Sequence, residues 1–160
     1  MRITSTLHFT ASPSDVAAML IDPTFAEHVG EEIKAAKVTT AEVDKGMSAR
    51  FSVGSPDAAA RILGPTMVIT DTVTWEKPHE DGSRLGFMSF SMEGIPASAE
   101  GPLRLKEVEG GSEMVFDADF TVRIPLVGKR IEQMAHQSLT SIIAACEQVG
   151  NRWLEANARP

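Results

Sequence analysis

The fold of this chain is decided by residues 125–153, PLVGKRIEQMAHQSLTSIIAACEQVGNRW. Apolar or small side chains recur there in steps of three and four, the spacing that places residues on one face of an α-helix. The members of this stripe are Ile131, Met134, Ala135, Ser138, Ile142, Ala145, Cys146, Val149 and Trp153. A helix with one apolar face needs a partner surface, and the rest of the chain is expected to supply it.

The residues before this helix alternate between apolar and polar side chains, which is the period of a half-buried strand. The pattern predicts strands at 2–9, 33–43, 47–53, 67–75 and 84–92, another from Pro96 to about Glu107, and a last one at 113–124. In strand 84–92 both faces carry apolar residues, so the pattern does not decide which face is covered.

Three short helices are predicted from their termini. Ser12 before Pro13 and Asp22 before Pro23 are each an N-cap followed by a first-turn proline, and Gly30 is expected to end the second helix. A third helix is expected between strands three and four, with Ser55 as its N-cap and Gly64 at its end.

Short turns between successive strands favour an antiparallel meander, and the first strand can pair with it only at its edge or after the sheet curves. The apolar face of that sheet and the apolar stripe of the long helix can then cover each other. The sequence therefore predicts an α+β fold, a curved seven-stranded antiparallel sheet wrapped around the C-terminal helix, as a single domain over residues 1–160.

Composition narrows the function classes. The hydrophobic share of 42% and the charged share of 23% are ordinary for a globular protein, and the net charge of −7 opposes attraction to nucleic acid and to anionic lipid. The N-terminus lacks a signal-peptide pattern, and no stretch approaches the roughly 18 apolar residues of a membrane span. We therefore expect a cytoplasmic protein without nucleic-acid partners or integral membrane association. The sequence does not predict its oligomeric state.

Two stretches carry a family resemblance: SPSDVAAMLIDPTFAEHV at 12–29 and VRIPLVGKRIEQM at 122–134. Together with the element order, they resemble the helix-grip fold of the START, polyketide-cyclase and pollen-allergen-like superfamily (SRPBCC), and within it an uncharacterised START-like family of unknown function. The resemblance spans nearly the whole chain. It implies an apolar cavity between sheet and helix that holds lipids, sterols, polyketides or hormones, and in some members a cyclisation or hydrolysis reaction.

The residues themselves offer no familiar catalytic motif. The four histidines lack metal-binding spacing, one cysteine cannot build a zinc site, and Gly110 and Gly111 lie in a turn rather than in a phosphate loop. We therefore expect no metal and no cofactor. Asp71 is the weak catalytic candidate, because a carboxyl group facing an apolar cavity has a raised pKa and can act as an acid, a base or a ligand anchor. The alternative is a solvated position at a bulge or near the rim.

Inward-facing methionines and phenylalanines suit a cavity that adapts to apolar guests, although the same side chains also suit a filled core. The residues expected to contact a ligand are Phe51, Met67, Ile69, Asp71, Phe87, Phe90, Met92, Leu103, Met114, Phe116, Phe120, Met134 and Ser138. We expect the ligand beneath the first half of the long helix, 126–138, and a sealed core beneath 142–153.

Three functions remain open at this point. The leading one is binding or transport of a small hydrophobic molecule such as a lipid, sterol or polyketide. The second is a cyclase, dehydratase or hydrolase that uses Asp71. The third is a partner-binding domain with a filled core, which an internal cavity of several hundred Å³ would contradict.

Overall fold

The structure is a computed structural model that describes residues 1–158, apart from the side chains of Ala58 and Ser138. These residues form seven strands and four helices. The strands are β1 (Arg2–Phe9), β2 (Lys37–Val43), β3 (Gly46–Gly54), β4 (Thr66–Trp75), β5 (Arg84–Met92), β6 (Ile95–Val108) and β7 (Gly111–Val122). The helices are α1 (Pro13–Leu20), α2 (Pro23–Glu32), α3 (Asp57–Leu63) and α4 (Gly128–Ala156).

All seven strands belong to one antiparallel sheet in the order β1-β7-β6-β5-β4-β3-β2. The meander runs from β2 to β7, and β1 joins its far edge by pairing with β7, as the sequence predicts. The α+β architecture with a long C-terminal helix is therefore confirmed. Along the described part of the chain, no helix is both long and apolar enough to span a lipid bilayer.

The short helices begin where proline and a capping side chain coincide. Ser12 accepts a hydrogen bond from the backbone N–H of Asp15, and Asp22 accepts one from that of Thr24. Ser55 does not cap α3, which is a wrong prediction: the residue before that helix is Pro56, and the Ser55 hydroxyl lies buried without a hydrogen-bond partner among the described residues.

Gly30 does not end α2, which is also wrong. The helix continues to Glu32, and the glycine serves close packing instead, because a Cβ atom there would lie 2.2 Å from a methyl carbon of Val38 on β2. The turn after the helix consequently takes up residues 33–36, and β2 begins four residues later than the expected 33.

The C-terminal part of α4 closes one side of the molecule, which we call the closed side: α1, α2, β1 and β7 around residues 147–154. Asn151 accepts a hydrogen bond from the Thr10 N–H and donates one to the His8 carbonyl, both at 3.0 Å. The Glu147 carboxylate accepts from the His8 N–H at 3.0 Å. Two of these bonds use the backbone of His8 in the edge strand β1 and the third uses that of Thr10 just after it, so the helix covers the end of an edge that would otherwise be unpaired.

Packing on the closed side is close where α4 meets β1 and α1, whereas a crevice of about 350 Å³ separates the end of α4 from α2 and is lined by residues that include Glu32 and Trp153. Val149 and Leu154 are buried, and a Cβ atom on Gly150 would lie 2.6 Å from the ring of Phe9 and 3.1 Å from the terminal methyl of Met19. Glycine at position 150 therefore lets α4 approach β1 and α1 closely.

Candidate functional site

The opposite side of α4 faces strands β3, β4 and β5 across a cleft, and we call these strands and helix residues 134–146 the open side. Side chains of odd number on β3 and β4 and of even number on β5 point toward the helix, as the register between these strands requires. Helix residues on this side, such as Leu139 and Ile142, are only half-buried. The helix therefore packs tightly at its C-terminal end and stands away from the sheet along its middle.

A groove of about 700 Å³ runs along the outside of this cleft. Its floor is apolar and includes Met67 and Ile69 of β4 together with Ile142 of α4, whereas Gln137 and Gln148 belong to its polar wall on α4. The volume of this groove falls in the range of ordinary ligand pockets, although the groove itself is open to solvent.

Two smaller cavities lie deeper, with volumes of about 70 and 50 Å³. Both share Ile69 and Ile142 with the groove, and they share Phe90 and Leu139 with each other. The larger one is bounded by α1, α2 and the inner face of the sheet, and we call it the Asp71 cavity. Phe90 contacts Phe116 edge-to-face in its wall, with ring centroids 6.1 Å apart.

Asp71 lies on the inner face of β4, opposite Ala49 of β3 and Phe90 of β5. Its carboxyl group lines the Asp71 cavity, and its Oδ1 atom is buried without a hydrogen-bond partner among the described residues. Burial in these apolar surroundings raises the pKa of Asp71 to about 7. The bulge that the sequence left open is wrong, because β4 pairs regularly on both sides of Asp71. The side chain as a whole is half-buried, with its Oδ1 atom on the buried side.

Cys146 is the other titratable residue that lines the Asp71 cavity. Burial and, second, the negative charge of Asp71 raise the pKa of its thiol to about 12. A thiol with so high a pKa is almost never a thiolate near neutral pH, so Cys146 is a poor nucleophile. Together the two residues make one polar spot in a cavity whose other lining residues are apolar.

Most of the residues predicted to contact a ligand line these spaces. The Asp71 cavity includes Phe51, Ile69, Asp71, Phe90, Met114 and Phe116, and the smaller cavity includes Met67, Ile69, Phe90, Met92, Phe120 and Met134. Leu103 is fully buried and is not among the residues that line either cavity. The side chain of Ser138 lies outside what the structure describes.

The prediction for Phe87 is wrong. This side chain is 45% exposed on the outer face of β5, because Phe90 and Met92 face the helix and the period of two turns residue 87 the other way. Because β5 carries apolar residues on both faces, the alternation in its sequence did not show that Phe87 faces outward. Its outer neighbour Leu85 is similarly exposed.

The expected division of the helix also needs correction. The smaller cavity does lie beneath Met134 and Ala135, but the Asp71 cavity reaches Ile142 and Cys146, in the part that was expected to be sealed core. Leu139 and Ile143, which line the Asp71 cavity, were missing from the predicted stripe. They follow Ala135 in steps of four, so the sequence did carry the signal.

Among residues 1–158, no group of three or more His, Cys, Asp or Glu side chains is placed to hold a metal ion. The polar side chains of the open side are therefore Asp71 and Cys146 in the Asp71 cavity and those on the wall of the groove, such as Gln137 and Gln148.

A family model described as "Protein of unknown function (DUF2505)" matches residues 4–154. No curated protein matches the sequence.

Solved structures with the same architecture include the protein TTHA0849 from Thermus thermophilus, with a TM-score of 0.67, 12% identity and coverage of 99% of this chain and 100% of that one. A STAR-related lipid transfer protein from Xanthomonas axonopodis matches with a TM-score of 0.65 and 14% identity, over 96% and 85% of the two chains. The di-domain ARO/CYC StfQ from the steffimycin biosynthetic pathway matches at 0.66 and 12%, over 98% and 51%. At such identities the likeness shows a shared START-like fold.

Proposed function

We propose that this chain, which belongs to the family described as Protein of unknown function (DUF2505), binds a small hydrophobic molecule in the cleft between α4 and the sheet. The family description assigns no activity, so the proposal rests on the geometry of the cleft. The observation behind the proposal is the groove of about 700 Å³, which shares Ile69 and Ile142 with two apolar cavities beneath it. A ligand that lies in the groove and reaches past Ile69 and Ile142 into these cavities would bury most of its surface, and this is the binding mode we propose.

The partial exposure of the open side supports this proposal. Ile69, Phe90 and Leu139 all face the interior, yet each is only half-buried. Covering such apolar surface contributes about 25 cal/mol per Å² removed from water, so a ligand gains binding energy from side chains that folding has left uncovered. Two of the similar structures are named as a lipid transfer protein and an ARO/CYC protein, and these names also support a hydrophobic ligand.

A partner-binding domain with a filled core is the weaker alternative. The two interior cavities, of about 70 and 50 Å³, are smaller than the several hundred Å³ that would exclude a filled core. The open groove along α4, however, has the volume of a ligand pocket. A reaction at Asp71 is favoured by a pKa of about 7, which suits an acid or base. The thiol of Cys146, with its raised pKa, is a poor partner for such chemistry.

Native mass spectrometry of the purified protein, together with displacement of the neutral dye Nile red by lipids, sterols and aromatic polyketides, tests the proposal. We expect at least one class to bind. The variant Ala145→Trp places a bulky side chain in the groove, which Ala145 lines, and should weaken binding at least tenfold. Ala156→Trp, at the last residue of α4, is the matched control and should bind as the wild type does. Absence of dye binding and of any bound ligand would refute the proposal.

A further inference from the structure

The Asp71 cavity holds a carboxyl group that the protein itself does not satisfy. Its Oδ1 atom is buried and has no hydrogen-bond partner among the described residues, although β4 is regularly paired around it. A buried polar atom without a partner costs free energy, and one that lines a cavity can be satisfied by a bound molecule.

The surroundings of Asp71 offer no charge to compensate it. The cavity is lined by residues of α1, α2, β1, β3, β4, β5, β7 and α4, and among those that the structure describes Cys146 of α4 is the only other titratable group. Its thiol is at best a weak hydrogen-bond donor and carries no positive charge. The described residues that line the cavity include no lysine, arginine or histidine.

Because a cation is the partner that this site lacks, we propose that the Asp71 cavity binds the protonated amine of a hydrophobic amine, with the apolar part of the ligand extending past Ile69 and Ile142 into the groove. This inference rests on the proposed function and names the class of ligand. A primary ammonium group donates up to three hydrogen bonds and neutralises the carboxylate, which gives a stronger bond than a neutral donor does.

Other head groups fit the cavity less well. An alcohol supplies one hydrogen bond but leaves the charge of the carboxylate buried and unpaired, which is costly. A fatty-acid carboxylate would place a second negative charge beside Asp71. The cavity of about 70 Å³ also favours a compact head over a bulky one.

The burial of Asp71 gives the expected pH dependence. Its pKa of about 7 means that the free protein holds a proton there below neutral pH, and an ammonium ligand must displace that proton. An alkylamine stays protonated throughout this range, so its affinity should rise with pH up to about 7 and then level off. Between pH 5.5 and pH 8 we expect a gain of about 30-fold.

The test compares decylamine, decanol and decanoic acid, each below its critical micelle concentration, as competitors of Nile red. At pH 8 decylamine should displace the dye at a concentration at least tenfold lower than decanol, with decanoic acid the weakest. In Asp71→Asn the preference for the amine over the alcohol should disappear. Asp119→Asn removes the same charge from an exposed position on β7 and should keep the preference.

The outcomes separate this inference from the proposed function. If the amine and the alcohol compete equally in the wild type, or if Asp71→Asn retains the preference for the amine, the assignment of Asp71 is overturned while hydrophobic binding stands. If none of the three competes and no dye binds, both fail. The pH series on the wild type needs no variant, and an affinity for decylamine that stays constant from pH 5.5 to pH 8 also overturns the assignment.

Discussion

The closed and the open side of α4 show how one helix serves two purposes. On the closed side Gly150 lets the helix approach the ring of Phe9, and Asn151 and Glu147 bond to the edge of β1. On the open side Leu139 and Ile142 are as apolar as Val149 and Leu154 on the closed side, but they face cavities and a groove. The difference lies in how closely the backbone approaches the sheet, and hydrophobicity alone does not reveal it. Firm attachment at one end is what allows the middle to remain uncovered.

The largest contrast should come from the same substitution on the two sides. Leu154→Ala on the closed side removes a side chain that is 7% exposed, and we expect it to lower the free energy of unfolding by about 3 kcal/mol. Leu139→Ala removes a half-buried side chain that already borders two cavities, so we expect a loss of about 1 kcal/mol. Urea denaturation of both variants measures the difference. Equal losses would mean that the two sides are packed alike.

The buried carboxyl group of Asp71 on the open side is expected to lower the free energy of unfolding at neutral pH. The pKa of its carboxyl group is near 7 in the folded state and about 3.8 in the unfolded state, so the folded state holds the proton more tightly. Its contribution is therefore fully present below about pH 4 and declines as the pH rises to about 7, by at most about 1.4 kcal/mol per pH unit.

Replacement of this residue should remove the decline. We expect Asp71→Leu to raise the free energy of unfolding at pH 8 by about 2 kcal/mol and, because these pKa values make the wild type about 3 kcal/mol more stable at pH 4.5 than at pH 8, to lower it by about 1 kcal/mol at pH 4.5. Thermal or urea unfolding across pH 4 to 8 measures this, and the exposed Asp119→Asn should leave the wild-type slope unchanged. Parallel pH curves for Asp71→Leu and the wild type would show that the carboxyl group is not buried as the structure places it.

The attachment of α4 to β1 can be tested at Asn151. Its side chain makes two hydrogen bonds of 3.0 Å, to the backbone of His8 in the edge strand and of Thr10 just after it, so Asn151→Ala should cost about 1 to 2 kcal/mol of unfolding free energy. Gln148→Ala, an exposed residue on the wall of the groove, should change it by less than about 0.5 kcal/mol. If Asn151→Ala is as neutral as Gln148→Ala, the edge of β1 does not depend on the helix.

The sequence predicted the parts of this molecule that follow from local periodicity. Alternation placed Asp71 and Ile69 on the inner face of β4, and the spacing of apolar residues located α4. It failed at Phe87, because β5 is apolar on both faces and only its partners β4 and β6 decide which face is covered. Local pattern therefore sufficed for the fold and for most of the lining residues.

Contacts between distant segments were beyond the reach of the sequence. Glu147 and Asn151 belong to the polar side of the helical pattern, and nothing local indicates that they bond to β1, more than 130 residues away. The volume between α4 and the sheet depends likewise on close approaches such as that of Gly150 to Phe9. Whether the cleft was filled or open therefore could not be read from residue types.

The smallest effect is expected in the turn that leads from β7 into α4. Leu126 has a φ of +72° and a fully exposed side chain, so its left-handed backbone is retained without packing contacts of its own. Leu126→Gly removes the steric cost of that conformation, which is about 1 to 2 kcal/mol, but it also adds backbone freedom to the unfolded chain. We expect a net gain of about 0.5 kcal/mol in unfolding free energy, whereas Leu126→Ala keeps the Cβ atom and should be neutral. Because the turn adjoins the N-terminal end of α4 and not the Asp71 cavity, Nile red affinity should stay the same in both variants. A change in affinity would mean that the turn sets the position of the helix over the open side.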